Sequence, residues 1–135
     1  MIRVVVAEDH ELVRLGVRML LTRTRRYQVV AETAAGKDLE SLVRAHDAQL
    51  VLLDLSLSDC AGLGLTSLLR RTFPQLKIVV VTGEASPLLA QDGTAAGADG
   101  FVLKDGKGEE LVLALDAVMK GGRYLSPQLG SMSSG

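Results

Sequence analysis

The sequence predicts an α/β fold, a parallel sheet covered by helices, and three observations carry that prediction. Short apolar runs such as Leu50-Val51-Leu52-Leu53 stop abruptly at polar residues. Segments with apolar residues at helical spacing lie between these runs. The two patterns alternate five times along 135 residues. A short unbroken apolar run reads as a strand buried on both faces, which parallel sheets require. Alternation of strand and helix then implies right-handed crossovers with helices on both sides of the sheet.

The length suits one domain with a substantial core. With 47% apolar but only 3% aromatic residues, that core must be built from Val, Leu, Ile and Ala. Fifteen basic residues against sixteen acidic ones leave a formal charge of -1, so the chain has no cation excess with which to neutralise a nucleic-acid backbone. Cys60 is the single cysteine, which excludes an internal disulfide, points to a reducing compartment and reads as a small apolar filler. The chain enters a strand pattern at Ile2 with no secretory pattern before it, and no apolar run reaches membrane-spanning length, so a cytoplasmic protein with no membrane partner is expected.

The first strand is Ile2 to Ala7, β-branched and apolar, followed by Glu8 and Asp9. Asp9 can cap the next helix, where Leu12, Val13, Val17, Leu20 and Leu21 form one face and Arg14, Arg18 and Arg23 lie between them. Arg23, Arg25 and Arg26 gather at its end, where a helix dipole favours cations. Tyr27 to Ala31 is the second strand. Gly36 breaks the chain before a helix from Asp38 to His46, and the third strand runs from Leu50 to Asp54. A loop through Gly62 leads to a helix from about Leu63 to Thr72, which Phe73-Pro74 ends. Lys77 to Val81 is the fourth strand. Pro87 opens a helix to about Ala96, weakened by Asp92-Gly93 in its middle. Phe101 to Leu103 is the fifth strand, and the last helix, Glu109 to Lys120, has acids first and a lysine last, with Gly121-Gly122 closing it.

In a parallel sheet the C-terminal strand ends share one edge, where ligands of open α/β folds bind. That edge receives Glu8, Asp9, Asp54, Thr82 and Lys104. Taken singly, each has an ordinary reading: Glu8 and Asp9 as helix caps, Asp54 as a solvated loop carboxylate, Thr82 as a strand former, Lys104 as a cation guarding an edge. Taken jointly they form a site. Three crowded carboxylates raise one another's pKa unless a cation joins them, and oxygen-only donors suit Mg²⁺. A carboxylate so placed can attack phosphorus to form an aspartyl phosphate, with Mg²⁺ and a lysine neutralising the transferred group.

Glu8-Asp9-His10, Asp54 with Gly62 eight positions on, Thr82-Gly83 and Phe101-Val102-Leu103-Lys104 resemble the receiver domain of bacterial two-component response regulators. The resemblance covers roughly residues 2 to 121. Asp9-His10-Glu11-Leu12-Val13-Arg14 and Lys104-Asp105 are similar to the NarL/FixJ-type subfamily in particular. It implies a flavodoxin-like, doubly wound five-stranded sheet in order 2-1-3-4-5 with five helices. By the same resemblance Asp54 is the phosphoacceptor for a sensor histidine kinase in a phosphorelay. Glu8, Asp9, Asp54 and the Ser56 backbone carbonyl bind Mg²⁺, Thr82 hydrogen-bonds the phosphoryl group, Lys104 pairs with it, and Phe101 is the aromatic switch. The readout would be the face of the fourth helix, fifth strand and fifth helix, through homodimerisation on activation or contact with an output domain. Phe101 also has a plain reading as a core residue.

Departures from the family pattern carry expectations of their own. Ser58 stands where a proline is usual, so the loop beside the metal should be looser. Asp105 follows the lysine in place of proline, and Gly83 replaces the commoner alanine. Ser56 and Glu84 are placed to tune water access and dephosphorylation. Residues 1 to 121 are expected to be the receiver and 122 to 135 the start of a linker or a disordered tail. Tyr124-Leu125-Ser126-Pro127 resembles the point where such regulators lead to a helix-turn-helix domain, so the chain is either a receiver fragment of a transcription regulator, the favoured expectation, reaching DNA only through that absent domain, or a stand-alone receiver that signals through protein contacts. Two other readings compete. One is a pseudo-receiver that acts as an interaction module without phosphorylation. The other is an aspartate-nucleophile phosphatase, against which Ser56 counts, because it occupies the position where such enzymes place a second carboxylate.

Overall fold

A computed structural model of the chain describes residues 1–130. The strands are β1 (Ile2–Ala7), β2 (Tyr27–Thr33), β3 (Leu50–Asp54), β4 (Lys77–Thr82), β5 (Gly100–Leu103) and β6 (Tyr124–Leu125). The helices are α1 (Glu11–Thr24), α2 (Leu39–His46, preceded by a 3-10 turn at Gly36–Asp38), α3 (Gly62–Thr72), α4 (Pro87–Ala96), α5 (Gly108–Met119) and the short α6 (Pro127–Gly130). All strands pair in parallel, in the order β2-β1-β3-β4-β5-β6.

Alternation along each strand divides the core between two faces. Val5, Val51, Leu53, Ile78, Val80 and Phe101 pack beneath α2, α3 and α4. Val4, Val6, Leu50, Leu52, Val79 and Val102 meet Leu21 of α1 and Leu111, Leu115 and Val118 of α5. All five residues of β3 are buried, as its unbroken apolar run requires. Full burial of each such leucine or valine contributes about 1.5–3 kcal/mol, so β3 anchors the fold.

The expected five strands and five helices need correction: among the described residues there are six of each. After α5 the chain turns at Gly121, whose φ is +92°, and returns along β5. Tyr124 N–H donates to Asp99 O at 3.2 Å and Ser126 N–H to Phe101 O at 3.0 Å. Ser126 is wholly buried; its hydroxyl donates to a Glu110 carboxylate oxygen and accepts from Leu103 N–H at 3.1 Å. Leu129 is buried in the core against α4. Residues 122–130 therefore continue the fold where a tail was expected, and β5 is not an edge strand. The last five positions of that tail, 131–135, lie outside the described residues.

Helix α4 forms in full despite Asp92-Gly93. Ser86 caps it by accepting from Leu89 N–H at 3.1 Å, and Pro87 occupies its first turn. Asp9 does not cap α1: His10 holds that position and makes no side-chain capping bond.

Candidate functional site

The sheet brings Ala7 and Leu53 level with each other, so Glu8 and Asp54 leave adjacent strands one step later. Both are buried, at 4% and 2% exposure. β5 pairs with β4 so that Thr82 lies beside Leu103, and Lys104 N–H donates to Thr82 O at 2.8 Å. This carries the lysine side chain across the strand ends. Its Nζ lies 2.9 Å from Asp54 Oδ2 and 3.2 Å from Glu8 Oε1.

Asp54 is engaged at both oxygens. Oδ1 accepts from the Ser56 amide at 2.9 Å and the Ser56 hydroxyl at 2.7 Å, while Oδ2 accepts from Lys104. Burial pushes its pKa upward, but Lys104 and the two Ser56 donors more than offset that and hold the carboxyl below its usual range. Burial likewise opposes the charge of Lys104, and its bonds to Asp54 and Glu8 prevail, raising its pKa. A buried carboxylate and a part-buried ammonium thus stay ionised side by side.

Gly62 is required by close approach. A Cβ there would lie 2.8 Å from Leu55 O and 2.9 Å from Leu55 Cα, so only glycine lets the start of α3 pack on the loop that follows Asp54. The same loop, expected to be looser for want of a proline at Ser58, is pinned one residue later. Asp59 accepts from Gly36 N–H at 2.8 Å and Lys37 N–H at 3.0 Å, and these two donors hold its carboxyl below the ordinary range. Cys60 is half-buried against Gly36, and burial pushes its thiol up.

A cleft of about 620 Å³ opens over these groups, lined by His10, Ser56, Gly62, Thr82, Glu84 and Lys104 among others. The Thr82 hydroxyl accepts from Glu84 N–H at 3.1 Å, which leaves its own proton free to donate. Glu84 is exposed at the mouth. Phe101 is not in the cleft: its ring is 1% exposed and lies in the core beneath α4.

Two residues had no assigned role in the sequence. Arg14, read there as a polar spacer on an amphipathic helix, donates to Glu8 O at 2.6 Å and pairs with Glu32 at 3.3 Å, fixing the backbone at the end of β1. His10 Nδ1 lies 3.1 Å from Glu8 Oε2 and 3.2 Å from Asp9 Oδ1. Glu8, Asp9, His10 and Asp54 each offer one donor atom, all within 4.8 Å of one another. Carboxylate oxygens gathered around a lysine ammonium form a pocket whose chemistry fits a divalent cation.

A sequence profile of the response regulator receiver domain matches residues 4–116. The chain belongs to that family. Response regulator GacA of Pseudomonas aeruginosa is 37% identical over 129 residues, which are 96% of this chain and 60% of GacA. The receiver thus spans about three-fifths of the length of that curated relative. A two-component response regulator of the LuxR family from Aurantimonas sp. SI85-9A1 superimposes with a TM-score of 0.91 at 32% identity, covering 96% of this chain and 92% of that one. The isolated receiver domain of RcsB from Salmonella enterica serovar Typhimurium, solved in the presence of phosphomimetic BeF3-, gives 0.90 at 28% identity and 96% coverage of both chains. Relatives of the GacA and RcsB type agree with the NarL/FixJ-type resemblance of this receiver. Among the described residues no helix is long and apolar enough to cross a membrane.

Proposed function

We propose that this receiver accepts a phosphoryl group on Asp54 from a sensor histidine kinase and converts the added charge into a change of output surface. The observation that carries the reading is the Lys104 ammonium held between Asp54 and Glu8 in a buried pocket at the strand ends. Asp54 attacks phosphorus through one carboxylate oxygen; the bond from phosphorus to the donor breaks, and its electron pair leaves with the donor. Glu8, Asp9 and Asp54, with the Ser56 backbone carbonyl, would hold Mg²⁺, which offsets the negative charge of the phosphoryl oxygens.

Phosphorylation adds about -1.5 to -2 charge and three strong acceptor oxygens. Lys104 pairs with the new group, and Thr82 turns its free hydroxyl proton toward it. Thr82 ends β4 and Lys104 opens the loop after β5, so the phosphoryl group biases the position of the loops that follow both strands and of Phe101 beneath them. Ser56 and Glu84, at the cleft, set how readily water reaches the acyl phosphate. Leu12, Leu15 and Met19 on α1 and Leu113 on α5 are exposed and would supply apolar surface for a homodimer formed on activation. A transcription-regulating role reached through a helix-turn-helix domain outside this chain, in the cytoplasm, completes the reading.

The test is intact mass after incubation with Mg²⁺ and acetyl phosphate, with beryllofluoride binding as a second probe. One added phosphoryl group, absent in Asp54→Asn and absent without Mg²⁺, is expected. Failure of both probes on the wild type would leave the phosphorylation-independent interaction module as the better reading.

A further inference from the structure

We propose that His10 is a direct ligand of the cation in this pocket, so that the site prefers divalent first-row transition ions over Mg²⁺. The inference rests on the cation pocket of the proposed function and adds to its oxygen donors a nitrogen from this chain. Adjacent ligands of an octahedral ion with bonds of about 2.1 Å stand roughly 3 Å apart. His10 Nδ1 is 3.1 Å from Glu8 Oε2 and 3.2 Å from Asp9 Oδ1, so the nitrogen stands from each of these oxygens at the spacing of a neighbouring vertex.

Two further features point the ring inward. His10 N–H donates to Glu8 Oε2 at 2.9 Å, which folds the residue back over the carboxylates. The Lys104 ammonium lies 3.4 Å from Nδ1 while contacting Asp54 and Glu8, so a positive charge already occupies the centre that the nitrogen faces. In the tautomer that carries its proton on Nε2, Nδ1 presents its lone pair to that centre, the form in which an imidazole binds a metal. The His10 side chain is 66% exposed, which leaves room for the water molecules that complete such a shell.

The ligand type decides the selectivity. Mg²⁺ is bound by oxygen, whereas imidazole suits iron, nickel, copper and zinc; Mn²⁺, at the weak end of the first-row series, serves as the paramagnetic probe. The wild-type protein, loaded with Mn²⁺, should show in pulsed EPR the ¹⁴N coupling of a directly bound imidazole. The only other histidine, His46, ends α2, and residues Asp47 to Gln49 separate it from the N-terminal end of β3, at the opposite end of the sheet. In His10→Ala the nitrogen coupling should vanish, Mn²⁺ affinity by calorimetry should fall about tenfold, and Mg²⁺ affinity should stay within about twofold. An exposed side chain makes this variant safe for folding, which circular dichroism checks. Bound Mn²⁺ with no nitrogen coupling in the wild type overturns the role of His10 and leaves the receiver reading intact. Binding of neither Mn²⁺ nor Mg²⁺ to the wild type overturns the cation pocket itself, and this inference with it.

Discussion

The ring of Phe101 occupies the space that a side chain at Gly93 would fill. A Cβ built on Gly93 would overlap the ring at Cζ and stand 2.6 Å from Cε2 and 3.0 Å from Cε1. Gly93 lies within α4, where its backbone is ordinary for a helix. Its value is the volume it vacates.

Gly93→Ala therefore sets two effects against each other. Helix propensity favours alanine by about 1 kcal/mol. Overpacking a filled core costs about 1–3 kcal/mol, and the closeness of the ring puts this case toward the upper end. Net destabilisation of about 1–2 kcal/mol is expected in urea unfolding. Phe101→Leu should cancel most of it in the double variant. A simple gain in stability from Gly93→Ala would show that the ring is free to move aside at no cost.

Acid should act on the pocket in a defined direction. The folded pKa of Asp54 lies below the unfolded value of about 3.9, so ionised Asp54 contributes stability above that value and loses it as pH falls through the folded one. Lys104, raised in the folded state, contributes below about pH 10.4 and loses its contribution as pH rises through its folded value. Between these limits the pair should make stability insensitive to pH. Urea midpoints measured from pH 6 down to pH 2 should fall more steeply for the wild type than for Asp54→Asn. Parallel curves would refute the role given to the pair.

At the other end of the sheet Arg70 joins α3 to the entries of β4 and β5. Its guanidinium donates to Gly97 O at 2.7 Å, Leu76 O at 2.7 Å and Pro74 O at 3.0 Å, and pairs with Asp99 at 2.7 Å. Asp99 in turn accepts from Ile78 N–H at 2.9 Å. Arg70→Ala strands these acceptors and should cost about 2–3 kcal/mol. Arg70→Lys should recover less than half, since an ammonium cannot make the same fork. Phosphorylation measured well below the unfolding temperature should be unchanged in both.

Ser126 ties the returning segment to the strand that carries Lys104. Ser126→Ala leaves Leu103 N–H without its buried acceptor and should cost about 1–3 kcal/mol. Hydrogen exchange at the Leu103 amide should accelerate more than at Val79, which lies in the interior. Equal protection in the variant and the wild type would mean that the serine adds nothing.

Most of the architecture was legible because strand and helix periods differ so clearly. The runs Ile2–Ala7 and Leu50–Asp54 are bounded by the structure where their polarity changes. The convergence of Glu8, Asp54, Thr82 and Lys104 followed from parallel topology alone. What escaped notice depends on packing across the chain. Tyr124–Leu125 is too short to announce a strand, and its pairing needs Gly121 to turn and Leu129 to find the core. Gly93 looks like a helix breaker until Phe101 stands opposite. Arg14 and His10 gain roles only when the end of β1 brings Glu8 within their reach.

The sixth strand bears on how this protein behaves when shortened. A polypeptide stopped at Gly121, where the family motifs end, would uncover the backbone donors and acceptors of β5 at Gly100 and Phe101 and empty the seat of Leu129. An uncovered apolar strand edge can pair with another chain. Such a truncation should self-associate and precipitate on concentration even with its phosphoacceptor pocket intact, so residues 122–130 act as the domain's own guard against edge-to-edge polymerisation.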